Sequence, residues 1–231
     1  METTKKRLVV LTGAGMSAES GISTFRDSNG LWENYRVEDV ATPEGFARNP
    51  EMVLDFYNQR RRELQHAQPN AGHIGLAELE AKYDVRIITQ NVDNLHERAG
   101  STHVIHLHGE LMKYCSVANL EKAYDIDPAH LDMHLGDLAP DGKQQRPFIV
   151  WFGEAVPMIE PAIREVEACD IFVIIGTSLN VYPAAGLLNY VRRGQPIYLI
   201  DPKEVQTYRG DVEQLMCGAS EGVRRLKEIL A

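Results

Sequence analysis

Short apolar runs recur along the chain at residues 7–11, 85–89, 103–107, 147–152, 171–175 and 196–200. They are continuous rather than alternating, the pattern of strands covered on both faces. Longer stretches with apolar residues at helical spacing lie between several of them, at 71–81, 158–168 and 184–193. Strand alternating with helix predicts an α/β fold, a Rossmann-like, doubly wound and mostly parallel sheet. Two segments break the rhythm. Residues 31–68 read as a pair of helices broken at Pro43 and Pro50, and 113–146 are polar, weakly periodic and rich in Asp, Gly and Pro. Both read as insertions that build a small second lobe. A single domain over 1–231 is therefore expected to divide into a large lobe (1–34, 69–112, 147–231) and a small one (35–68, 113–146).

Composition narrows the class. Hydrophobic residues are 44% and charged residues 25% of the 231, as in an ordinary globular chain. No apolar run approaches the ~18 residues that span a bilayer, so no membrane role is expected. The polar start, Met1 to Arg7, lacks the apolar core of a secretory signal. Three scattered cysteines, Cys115, Cys169 and Cys217, make a poor disulfide framework and fit a reducing cytoplasm. The net charge of −9 argues against nucleic acid as a partner. Nothing in the chain sets an oligomeric state.

Candidate chemistry gathers at strand ends. The run Gly13-Ala14-Gly15-Met16-Ser17-Ala18 follows the first strand. A strand entering a small-residue turn offers outward backbone N–H groups and lets a pyrophosphate approach. Taken alone, the turn reads as a nucleotide site, with a tight structural bend as the alternative. Glu33 has the spacing of a ribose-binding acid, but 28–32 is no strand, which weakens a plain dehydrogenase reading. Gln90, Asn91 and Asp93 end the 85–89 strand with amide and carboxylate groups able to hold a carboxamide and a ribose, or simply to cap a helix. His106 and His108 follow the next strand and, by alternation, face one side; a histidine there suits general-base work on a sugar hydroxyl, or packs in the core. Val150–Glu154 and Gly176–Pro183 complete the set.

Taken together and in order, GAGMSAESGISTFRD (13–27), TQNVDNLH (89–96), HLHGEL (106–111), VWFGE (150–154) and GTSLNVYPAA (176–185) resemble the sirtuin family of NAD-dependent protein-lysine deacylases. The resemblance runs from about Leu8 to Asp201. It implies an enzyme that uses NAD to remove acyl groups from protein lysines, releasing nicotinamide, O-acyl-ADP-ribose and free lysine. It implies His108 as the catalytic base, with Asn91 and Asp93 at the nicotinamide and ribose. Gly13, Ala14, Gly15, Ala18, Ile22, Phe25, Arg26, Gln90, Gly176, Thr177 and Ser178 would line the cofactor site. Phe152, Gly153 and Glu154 on one side, and Asn180, Val181 and Tyr182 on the other, would clamp an acylated peptide as an added strand. Asp201 stands where the family commonly has Asn near the adenosine ribose. ADP-ribosyl transfer, NAD hydrolysis and a non-catalytic NAD sensor are the competing readings.

Tyr57 and Arg60 lie three apart, on one helix face, and resemble the pattern of sirtuins that prefer succinyl- and malonyl-lysine. Ala41–Glu44 fits the same subgroup. Without the family, Arg60 is simply a charge in a basic run. Most sirtuins hold a structural zinc with two Cys-x-x-Cys pairs. Here Cys115 has Ala118 in its partner's place and 127–146 contains no cysteine, so no structural zinc is expected. His130 and His134, one helical turn apart, are the remaining candidates to join Cys115 in a makeshift site.

Overall fold

The computed structural model describes residues 4–22 and 35–231. In chain order its elements are β1 (Arg7–Thr12), α1 (Val37–Val40), α2 (Pro43–Arg48), α3 (Pro50–His66), α4 (Ala71–Leu79), β2 (Asp84–Thr89), α5 (Leu95–Arg98) and β3 (Val104–His106). The antiparallel strands β4 (Gly109–Ser116), β5 (Asn119–Asp125) and β6 (Gln145–Ile149) come next. The chain then forms α6 (Ile159–Glu167), β7 (Ile171–Ile175), β8 (Ile197–Ile200), β9 (Val212–Leu215) and α7 (Ala219–Ile229). Short 3-10 turns occupy Ala14–Met16, Ala18–Ser20 and Ala184–Tyr190.

Six parallel strands make the main sheet in the order β3-β2-β1-β7-β8-β9. Alternate residues of β1 explain the two layers of helices. Val9 and Leu11 join Phe172, Ile174, Val166 and Leu187 on one face, covered by α6 and the 184–190 turn. Leu8 and Val10 join Val173, Ile175, Leu76 and Val223 on the other, covered by α4 and α7. Each such side chain contributes roughly 1.5–3 kcal/mol by leaving water, which is why continuous apolar runs become central strands. Strand order reverses between β1 and β7, and such a sheet binds ligands in the crevice beyond the strand ends at that point.

The second lobe is built differently from its prediction. Pro43 and Pro50 begin helices rather than break them. Thr42 caps α2 by accepting Gly45 N–H (2.9 Å), Asn49 caps α3 by accepting Met52 N–H (3.2 Å), and each proline takes the first helical place, where no N–H partner exists. Residues 35–68 therefore carry α1, α2 and α3. The apolar run 147–152, predicted among the parallel strands, contributes instead to β6, in the three-stranded sheet β5-β4-β6. Hydrophobicity marks a strand but not the sheet it joins. The hairpin β4–β5 was illegible because β5 is an exposed edge with no apolar face to pattern. The predicted 184–193 helix is a 3-10 turn, and β9 and α7 had no predicted counterpart.

α3 ties this lobe together. Its Val53, Phe56, Tyr57 and Leu64 pack with Leu111, Ile149 and Trp151, and with Leu95 from the large sheet's side. Buried Asn58 both donates to Met133 O and accepts Met133 N–H (2.9 Å each), and buried Arg61 donates to Leu131 O (2.8 Å). Those bonds fasten the 131–133 segment to the helix.

Two buried histidines back the main sheet. Asn70 caps α4, and His73 Nδ1 reciprocates by accepting Asn70 N–H (3.3 Å). The His73 ring meets that of His96 edge-on at 4.8 Å. Burial pushes His73 down to about 4 and His96 well below its ordinary value. Unfolded histidine titrates near 6.5, so between about 6.5 and 4 the unfolded chain takes up protons that the fold refuses. Stability is full above that window and falls as pH drops, by ~3 kcal/mol for His73 alone at complete protonation. The urea midpoint is expected to fall between pH 7 and 5, and His73→Gln to flatten that slope; an unchanged slope in the variant would contradict neutral burial.

Candidate functional site

The turns after β1 and β7 meet at the strand-order reversal. Gly13 N–H donates to Ile175 O and Gly15 N–H to Gly176 O, both at 2.9 Å. A Cβ on Gly13 would sit 2.7 Å from Thr177 Cβ, and one on Gly15 would sit 2.7 Å from Gly176 Cα. Gly176 has φ +64°, and a Cβ there would reach Met16 N at 2.4 Å. The glycines thus let two turns lie backbone on backbone, a role that the sequence pattern did not reveal. Ala14 and Gly15 stay half-buried and Ala18 exposed on the rim of this cradle, with Ile22 half-buried beyond. Phe25 and Arg26 lie outside the described residues.

Beside it, the segment after β2 folds its polar side chains onto the β1 turn. Asn91 Nδ2 donates to Gly13 O (3.0 Å) and to Ser17 Oγ (3.1 Å), while Ser17 donates to Asp93 Oδ2 (2.9 Å). Both amide hydrogens of Asn91 are thereby used, and its Oδ1 remains the acceptor to offer a ligand. Asp93 is 6% exposed and also accepts Leu95 N–H (3.1 Å). Burial raises its carboxyl above the ordinary value, although the Leu95 and Ser17 bonds pull the other way. Underneath, Thr12 donates to Thr89 Oγ1 (2.8 Å), which also accepts Asn91 N–H (3.0 Å); His96 Nε2 lies 3.1 Å from Thr12 Oγ1.

His106 and His108 both turn onto this segment, as alternation predicts, but into different environments. His106 pairs Nδ1 with Asn91 O (3.0 Å) and Nε2 with Glu97 Oε1 (2.7 Å). Burial lowers its pKa, but the Glu97 carboxylate and the Asn91 carbonyl outweigh that and raise it overall. His108 has Nδ1 on Gln90 O (3.1 Å). A carbonyl only accepts, so Nδ1 carries the hydrogen and Nε2 keeps its lone pair. Burial lowers this histidine's pKa against the opposing pull of Gln90 O, so the neutral base dominates near pH 7. Gln90 Nε2 in turn donates to Thr177 Oγ1 (3.1 Å), closing the ring of segments from β2 to β7. A crevice with backbone turns on one wall and amide, carboxylate, hydroxyl and imidazole groups on the other fits a dinucleotide such as NAD.

The remaining predicted residues fall into place unevenly. Tyr57 is buried, with its hydroxyl accepting Trp151 Nε1–H (2.9 Å). Arg60 lies over the Phe56 ring at 5.7 Å; burial lowers its pKa, while the charges of Tyr57, Glu63 and Asp93 oppose that. Glu154, expected in a main-chain clamp on the peptide, commits its carboxylate inward. It holds Arg146 through both oxygens (2.7 and 3.0 Å) and accepts Trp151 N–H (2.8 Å). Phe152 is half-exposed with its N–H on Ala41 O (2.9 Å), and Gly153 has φ +92° with open space around it. Asn180, Val181 and Tyr182 are exposed, and Ser178 is half-buried. Asp201, at the end of β8, is buried and accepts Lys203 N–H (2.9 Å). Cys115 is buried, whereas His130 and His134 are exposed, and among the described residues no group of three or more His, Cys, Asp or Glu is placed to hold a metal.

Sequence reasoning passed over Ser17, Thr12, Thr89 and Arg146 as site residues. Ser17 and Thr89 lay inside motifs already singled out; Arg146 carried no local signal, since its partners Glu154 and Trp151 are set by the turn between them.

Comparison with known proteins agrees with this geometry. The Sir2 family profile matches residues 13–183. An NAD-dependent protein deacylase of Bacteroides thetaiotaomicron is 62% identical over 97% of this chain and 98% of its own length. One from Helicobacter pylori is 56% identical over 86% and 85%. Among solved structures, a Sir2 homologue in complex with NAD superposes with a TM-score of 0.86 at 42% identity, covering 98% of this chain and 91% of that one. A mutant Sir2 homologue bound to ADP-ribose gives 0.86 at 40% identity over 98% and 94%. With a family match over most of its length and such close relatives, the chain belongs to the Sir2 family.

Proposed function

We propose that the protein is an NAD-dependent deacylase of protein lysines, acting on succinyl and malonyl as well as acetyl groups. The observation that carries the reading is the half-buried imidazole of His108, its Nδ1 on Gln90 O and its Nε2 lone pair available, beside the Asn91–Ser17–Asp93 network. The close relatives bearing the name NAD-dependent protein deacylase support it.

When bound, NAD supplies a glycosidic bond to nicotinamide that can be broken and a ribose that accepts the acyl group. The chain's own groups do the rest. Asn91 Oδ1 would accept from the nicotinamide carboxamide or the adjoining ribose, with the buried Asp93 joined to it through Ser17. The turns at Gly13–Ala18 and Gly176–Ser178, with Ile22, Gln90 and Asp201, line the rest of the cofactor site. Holding the two reactants in line lowers the entropy cost of the transfer. With NAD bound, the Nε2 lone pair of His108 would be the base that takes the proton of a ribose hydroxyl. Phe152, Gly153 and the 180–182 segment bound the peptide; Glu154 serves by bracing the 151–154 turn. Arg60, with Tyr57 beside it, accommodates a carboxylate at the end of the acyl chain by a charge-assisted bond. The large lobe (1–34, 69–112, 147–231) carries the cofactor and the small lobe (35–68, 113–146) the acyl pocket; the exchange between them runs through β4 and β6. The α3 contacts to Leu131 and Met133 support a small lobe held by packing and hydrogen bonds. Unpaired cysteines support a cytoplasmic setting.

His108→Ala is expected to lower kcat by about 10²–10⁴-fold, with nicotinamide binding little changed. Because the active form of His108 is neutral and burial disfavours its cation, the acid limb of kcat/KM should have its midpoint below the ordinary 6.5 of histidine. A midpoint above 7 would remove His108 from the role. Mass spectrometry should find O-acyl-ADP-ribose rather than protein-linked ADP-ribose. For the acyl pocket, Arg60→Met should cut kcat/KM on a succinyl-lysine peptide about 10–100-fold, the worth of a charge-assisted hydrogen bond, and leave the acetyl peptide within about threefold. Equal losses on both peptides would refute the acidic-acyl assignment.

A further inference from the structure

The acidic-acyl reading requires Tyr57 to act as a hydrogen-bond donor, and the structure contains a device for that. Tyr57 is 3% exposed, within the apolar cluster that joins α3 to β4, β6 and Trp151. Trp151 Nε1 lies 2.9 Å from the Tyr57 hydroxyl. An indole nitrogen donates and never accepts, so the phenol oxygen must be the acceptor of that bond. Its own O–H is then left to donate elsewhere. Burial also pushes the phenol up to about 12, against the opposing pulls of Trp151, Arg60 and Arg146, so the proton stays in place.

The indole is itself immobilised. The Arg146 guanidinium sits over it, with Cζ 3.5 Å from the ring centroid. Glu154 grips Arg146 through both oxygens and also accepts the Trp151 backbone N–H. The side chains of Arg146 and Glu154 are 6% and 14% exposed, so this ion pair is shielded from solvent. Phe46 packs against the indole at 5.3 Å between ring centroids. Arg146 also donates to Ile149 O (2.8 Å), which fixes it to the end of β6. No translation of the indole is available without breaking one of these contacts.

We propose that Trp151, locked by the Arg146–Glu154 pair, is a positioning residue for acyl choice: its N–H compels the Tyr57 hydroxyl to present a proton to the acyl pocket, favouring acyl chains that end in a carboxylate over those that end in a methyl. The inference rests on the assignment of Tyr57 and Arg60 to the acyl carboxylate. A site built to donate to an oxygen discriminates against a ligand that lacks it, because the donor is then left unpaired.

The test is a double-mutant cycle on kcat/KM for succinyl- and acetyl-lysine peptides, using the parent, Trp151→Phe, Tyr57→Phe and the double variant. Phenylalanine keeps a packed ring and deletes the N–H. Trp151→Phe is expected to lower the succinyl value about tenfold, chiefly through KM, and to leave the acetyl value within about threefold. In the Tyr57→Phe background the same substitution should cost nothing further on the succinyl peptide. Equal loss on both peptides, or a full additional loss in the double variant, would show a merely structural role and overturn the proposal. If Trp151→Phe does not fold, Arg146→Lys carries the test: it keeps the charge, loses the guanidinium over the ring and its two-point grip by Glu154, and should show the same selective rise in the succinyl KM. A ratio moved by Tyr57→Phe but not by Trp151→Phe or Arg146→Lys defeats this proposal alone. A ratio that Tyr57→Phe leaves untouched defeats the acidic-acyl reading itself, and this proposal with it.

Discussion

The site depends on two turns lying backbone against backbone at the point where the parallel sheet reverses its order. The Gly13 and Gly15 amides bond across to the β7 strand end and to Gly176, and no side chain fits between them. That contact fixes the β1 turn. The β1 turn then fixes the segment after β2, because Asn91 is anchored on Gly13 O and Ser17. Gln90 completes the circuit by reaching Thr177. Three strand ends are thus held in mutual register by main-chain and amide bonds rather than by long flexible side chains. Such preorganisation suits a crevice that must align two reactants.

Local environment, not residue type, separates the groups in that crevice. Two histidines two residues apart share the same orientation and the same kind of Nδ1 partner. One meets Glu97 and is driven towards its cation; the other meets the Gln90 carbonyl and is driven by burial towards neutrality. Asp93 shows the complementary case, a carboxyl that burial raises while a serine and a backbone N–H restrain it. The buried His73–His96 pair adds a cost at low pH behind the sheet, so the elements that carry the site are also those whose packing is sensitive to acid.

The second lobe is organised around α3. One face of that helix packs on β4, β6 and Trp151, and Asn58 and Arg61 hold the loop near residue 131. Tyr57 projects from the helix into the cluster that also receives Val92 and Leu95 from the segment after β2. The acyl-pocket candidates and the cofactor crevice are therefore parts of one packed unit, and strain in the Arg146–Glu154–Trp151 brace is expected to be felt at Tyr57 first.

Sequence alone determined the parallel strands β1, β2, β3, β7 and β8, the helices α4 and α6 and the strand-end motifs, because central strands need continuous apolar runs and ligand-facing turns need small or amide residues locally. It also marked His108, Asn91, Asp93, Gln90 and Tyr57 as chemically apt, since donor and acceptor type is a property of each residue. Only the tertiary structure decided that β6 belongs to the antiparallel sheet, that Pro43 and Pro50 start helices, that the Glu154 carboxylate faces inward, and that Arg146 clamps Trp151. It also decided which of the two histidines, among the described residues, keeps an unpaired Nε2. These outcomes turn on partners tens of residues away in the chain, and a pairing set by packing leaves no periodicity in the sequence from which to read it.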